Sequence, residues 1–105
     1  GERIPIEQIV HGHTQRNARH MGWFDRGVVA PGYLADLNVI DLDALACHPP
    51  TIVHDLPAGG RRLMQTARGY VATVKSGAVT FLDGEHTGEL PGRLLRGTRP
   101  APAAP

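Results

Sequence analysis

Two histidines separated by one glycine, His11 and His13 in "HGH", are the residues best suited by type to share a metal ion. Imidazole is a common zinc ligand, and the chain carries six histidines in 105 residues. On a strand, side chains two positions apart point the same way and chelate together. On a helix they diverge by roughly 200°. Ile6, Ile9, Val10 and His13 follow helical spacing, so a shared ion is not expected. His13, on the apolar side, is expected to be packed and hydrogen-bonded, and His11 solvated. His20, His48, His54 and His86 show no ligand spacing with one another. His86 lies between carboxylates in "DGEHTGE", an ordinary surface setting. Cys47, in "ALACHPPT", has no neighbour that would activate a thiol. No serine lies in a nucleophile-elbow pattern, and no glycine-rich loop opens a helix to cradle a phosphate. The residues themselves outline no catalytic, cofactor-binding or metal site. Asp36 is the remaining candidate, a lone carboxylate just ahead of the most apolar strand.

The elements that would position these groups are short. Pro5 suits a first helical position, and Thr14 is suited to cap a second helix, Gln15 to Met21, ended by Gly22 in a left-handed conformation. Ala18 and Met21 would be its inward face. Gly27 then takes positive φ after "FDR", and Pro31-Gly32 matches the central pair of a type II turn. Leu37, Val39 and Ile40 read as a largely buried strand, and "DLDAL" as the start of a helical turn. With three prolines and two glycines, "CHPPTIVHDLPAGG" reads as a long surface connection. The clearest hairpin is "GYVATVKSGAVTFLDGE", turning at Ser76-Gly77. "TGELPGRLLRG" adds two glycine-dependent bends, and "TRPAPAAP" is expected to be disordered.

Bulk composition narrows the function classes. A hydrophobic share of 41% suffices for a core, while 13 glycines and 9 prolines imply many turns. The net charge of +1, without a basic block, disfavours nucleic acid and acidic membranes as partners. A single cysteine rules out an internal disulfide and suits a reducing, cytoplasmic setting. No apolar run is long enough to span a bilayer, and "GERIPIEQIV" lacks the pattern of a secretory signal. The chain opens on Gly1 without an initiating methionine, and is expected to be a piece of a longer polypeptide.

"FDRGVVAPGYLADLNVID" resembles the segment that follows the catalytic barrel in the amidohydrolase superfamily, with its "G-x-(L/V)-x-x-G-x-x-A-D" turn. "ATVKSGAVTFLDGEHTGELPGRLLRG" is similar to the close of one branch, the amidohydrolase-3 or N-acyl-D-amino-acid deacylase (D-aminoacylase)-like proteins. "IEQIVHGHTQRNARHMGW" matches the preceding helix, Thr cap and glycine ending. The resemblance covers roughly 6–96 and implies an α+β, mostly β fold. Residues 1–25 would be the terminal helices of a (β/α)8 barrel region, 26–96 the C-terminal part of a composite β-sandwich, and 97–105 a disordered tail. The domain would be incomplete. In the family the metal-binding His-x-His lies at the first barrel strand, so "HGH" here is a look-alike and no catalytic residue carries over. Zinc or another divalent metal is expected in the parent barrel, where it activates water for attack on a linear amide, with a barrel aspartate handling the proton.

The resemblance gives Asp36 an anchoring role, offering its carboxylate to backbone amides at the turn. The expected partners are the parent's barrel and N-terminal strands, with self-association through exposed sheet edges if those are missing. Two rival readings use the residues alone: an independent β-rich binding module, and a small His-rich metal protein.

Overall fold

Proline presets the φ of a helix entry and lacks an N–H that a first turn would leave unbonded. In the computed structural model, which describes residues 1–103, helix α1 spans Ile6–His13 with Pro5 just outside it, at the N-cap. Helix α2 spans Gln15–His20, and Gly22 stops the segment at φ 74°. Thr14 does not cap α2 with its side chain. Its hydroxyl donates back to the Val10 carbonyl at 2.7 Å, the competing bond open to a threonine one turn on.

Ala18 on α2 is buried, and it alone among the described residues. Met21, its expected companion, is 54% exposed. Gly27 lies over Ala18 so closely that a Cβ there would stand 3.1 Å from the Ala18 Cβ and 3.0 Å from the Gln15 Cα. Its φ is 85°, so both space and conformation demand glycine. The next turn closes as expected: Tyr33 N–H donates to the Ala30 carbonyl at 3.2 Å with Gly32 at φ 86°.

Strands β1 (Leu37–Ile40), β6 (Tyr70–Lys75), β7 (Ala78–Leu82) and β8 (Glu85–His86) form one antiparallel sheet in the order β1-β6-β7-β8. Ser76 and Gly77 join β6 to β7 with φ of 51° and 82°, the two positive values that match the twist of a tight hairpin. The register sets Leu37 opposite Val74, and Val74 opposite Val79, while Val39 faces Ala72. These residues share one face. Asn38, Thr73 and Phe81 share the other, and Thr73 Oγ1 donates to Asn38 Oδ1 at 3.0 Å. Two smaller ladders, β2 (Ala46–Cys47) with β5 (Ala67–Arg68) and β3 (Thr51–Leu56) with β4 (Gly60–Met64), complete the described elements.

Three expectations need correcting. Strand β1 forms, but Val39 is 51% exposed and Ile40, on the opposite face, 41%, so neither is covered by a second layer among the described residues. The stretch 47–60 is not an irregular connection. Its prolines flank rather than interrupt β3, which folds back through Pro57–Gly59 onto β4 as a hairpin arm. The tail, expected to be disordered over 97–105, is tied down at its start. Arg99 N–H donates to the Gly22 carbonyl at 2.9 Å and the Arg99 carbonyl accepts from Phe24 N–H at 3.0 Å, while positions 104 and 105 lie outside the described residues.

The bare faces add up to a large area. The accessible surface is 8658 Å², against about 5,700 Å² for a compact monomer of this mass. The radius of gyration is 16.6 Å, against about 13 Å for a compact chain of this length. Among the described residues strand outweighs helix, and one face of the four-stranded sheet is apolar.

Candidate functional site

The densest polar cluster gathers around Asp36, at the end of the turn segment that Gly27 and Gly32 shape. Asp36 Oδ1 accepts from the backbone N–H of Ser76 at 2.9 Å, and Lys75 Nζ donates to both carboxylate oxygens at 2.9 and 3.1 Å. Next to it, the Gly77 N–H donates to the Ala35 carbonyl at 3.0 Å. Asp36 therefore does anchor backbone. The amide it holds belongs to the β6–β7 turn, forty positions along the chain, rather than to its own turn.

Arg26 frames the other side. It donates to Asp25 through two nitrogens, at 2.9 and 3.2 Å, and stands 4.0 Å from Asp36. The Arg26 hydrogen bond holds the Asp25 carboxyl below its ordinary value, and the same bond raises the guanidinium. The guanidinium also lies over the Trp23 ring, 5.8 Å from its centroid. Trp23 Nε1 donates to the Gly97 carbonyl at 3.2 Å, which brings the C-terminal segment against the cluster. A cleft of about 600 Å³ opens here, lined by Arg26, Leu34, Lys75, Ser76, Arg93 and Arg99 among others.

This arrangement ties the turn segment to the β6–β7 turn. Lys75 also donates to Ser76 Oγ at 3.0 Å, a contact between an amine and a hydroxyl. The Asp36 carboxylate is committed to an amide and an ammonium.

The histidines are scattered. His11 and His13 both lie on α1, where the helical period turns them apart. His13 is exposed, not packed as expected, because nothing among the described residues covers the apolar side of α1, where Ile6, Ile9 and Val10 are also bare. His48 Nδ1 is 2.9 Å from Thr66 Oγ1, and the His86 ring meets Phe81 edge-on at 5.1 Å. Among the described residues no group of three or more His, Cys, Asp or Glu could hold a metal ion.

One pair escaped sequence reasoning. Arg62 donates to Asp55 through two nitrogens, at 2.7 and 2.6 Å, across the β3–β4 arm, lowering the aspartate's pKa and raising the arginine's. The signal was the β-branched run Thr51-Ile52-Val53 and opposite charges on either side of "PAGG".

A family model described as "Amidohydrolase family" matches residues 1–81. The chain belongs to this family. An adenine deaminase of Brucella anthropi is 32% identical over 91 residues, an alignment covering 74% of this chain. The amidohydrolase segment described here spans 16% of that relative's length. No solved structure matches. The matched residues contain both helices, the Asp36 turn and all but the last residue of the β6–β7 hairpin, and end before "HTGELPGRLLRG". No helix among the described residues is long and apolar enough to cross a membrane.

Proposed function

We propose that this chain is a C-terminal structural segment of a metal-dependent amidohydrolase that cleaves linear amides of the N-acyl-D-amino-acid kind in the cytoplasm. Its helices would be the last of the barrel region, and its sheet one layer of a composite sandwich. The reactive centre would lie elsewhere in the polypeptide. The observation that carries this is the apolar face of the β1-β6-β7-β8 sheet, on which Val39 stays 51% and Val79 39% exposed, in a chain of this family.

Magnitude favours an intramolecular cover. Roughly 2,900 Å² separates the observed surface from that of a compact chain. A standard protein interface removes about 800 Å² per partner, so a typical docking partner leaves most of the excess in water. This argues against the stand-alone binding module. The scattered imidazoles argue against the His-rich metal protein.

The D-aminoacylase-like assignment leans on "HTGELPGRLLRG", which the family match does not reach. A second reading therefore has support of its own: the similarity to an adenine deaminase makes adenine a substrate candidate for the whole protein. Assaying the complete polypeptide against N-acetyl-D-amino acids and adenine separates the two. Release of free D-amino acid supports the first, deamination of adenine the second. Activity of Gly1–Pro105 alone, abolished by replacing its own histidines, would overturn both.

A further inference from the structure

The cleft beside Asp36 has a property that its hydrogen bonds do not use. Arg26, Lys75, Arg93 and Arg99 line it, and no acidic side chain does. Asp25 and Asp36 partner Arg26 and Lys75 from behind. Arg93 and Arg99, which also line this concave surface, make no ion pair among the described residues. Leu34, Leu94 and Leu95 supply apolar lining between them. Arg99 is not a swinging surface side chain at its root. Its backbone is bonded on both sides, to Gly22 and Phe24. The cleft is therefore fixed at one wall before anything enters.

The geometry points to an occupant: an acidic segment of the same polypeptide, carrying an aspartate or glutamate flanked by apolar residues, that docks between Arg93 and Arg99. Complementarity of charge selects its carboxylate, since guanidinium forks pair with carboxylates in two parallel bonds. The volume, about 600 Å³, accommodates a few residues rather than a whole element. That the occupant lies in the same polypeptide rests on the proposed function, because the matched relative extends well beyond the region this chain covers. The C-terminal "PGRLLRG" would then be a clasp, closing the returning sheet onto chain laid down earlier.

Carbodiimide coupling in the complete polypeptide tests this. Arg93→Lys places a primary amine in the cleft, and the reagent joins an amine to a carboxylate only when the two touch. Mass spectrometry should find position 93 linked within one molecule to an Asp or Glu outside 1–105. Arg99→Glu added to that variant should cut the yield at least tenfold. Arg96→Glu, whose arginine does not line the cleft, should change it less than twofold. Linkage only to Asp25 or Asp36, linkage between two molecules, or no linkage would each overturn the inference. The test is independent of substrate: a polypeptide inactive on amides and adenine that still shows the linkage keeps the clasp and loses the proposed activity.

Discussion

Two carboxylate–cation pairs of the same chemistry sit in regions built very differently. Asp36 and Lys75 join segments far apart in sequence, and the carboxylate also holds the Ser76 amide. Around them, Gly27 packs on Ala18, Trp23 reaches Gly97 and Arg99 ties back to Gly22. Asp55 and Arg62 instead join neighbouring strands of one hairpin and, among the described residues, bond to nothing beyond it. The first pair closes long loops and fixes a junction. The second only straightens an arm that its own strands already define. An ion pair's worth follows from what else its partners hold, not from its length.

Backbone positions should separate the regions most strongly. At the junction, Gly27, at φ 85°, would place a Cβ 3.0 Å from the Gln15 Cα. Gly27→Ala combines positive-φ strain with overpacking and should cost about 3 kcal/mol in urea unfolding of the complete polypeptide. In the arm, Gly59 also has positive φ, 73°, but open space around it, so Gly59→Ala should cost about 1 kcal/mol. Equal costs would remove the distinction.

Next comes the anchor. Asp36→Asn keeps an acceptor for Ser76 N–H but loses the charge facing Lys75, and should cost about 1–2 kcal/mol. Turnover per folded molecule should stay near normal. Lost turnover at unchanged melting temperature would make Asp36 part of the chemistry.

Acid should act on Asp25 more visibly than on Asp55. Both carboxyls are held below their ordinary value, chiefly by an arginine hydrogen bond. Their contribution is thus complete above the ordinary carboxylate range and fades as pH falls through the lowered folded value. Melting temperature should be flat from neutral pH to about 5 on this account and fall below about 4. Asp25→Asn should flatten that acid limb. Asp55→Asn, in a pair about half exposed on each side, should leave it close to wild type, the smallest effect of the series.

What the sequence made legible was local. The helix at Ile6–His13, the type II turn at Gly32 and the Ser76-Gly77 hairpin follow from spacing and from glycine, and each formed. The β3–β4 arm was hidden because prolines were read as breakers, when Pro50 and Pro57 sit outside the paired residues. Thr14 chose a backward bond over a cap, a contest between near-equal hydrogen bonds that residue type does not decide. Burial was the larger miss. Val39, Ile40 and His13 have the pattern of covered residues, but pattern shows which face is to be covered, not what covers it. Asp36 was singled out correctly as an anchor, while its partner, forty positions away, is a matter of topology.

Amide hydrogen exchange across β1 and β6 tests the central claim most directly, comparing Gly1–Pro105 with the complete polypeptide. If the sheet is one layer of a larger assembly, amides of Leu37–Ile40 should exchange at least about a hundredfold more slowly in the complete protein. Equal, strong protection in the isolated chain would mean that the sheet needs no cover, and would contradict the account.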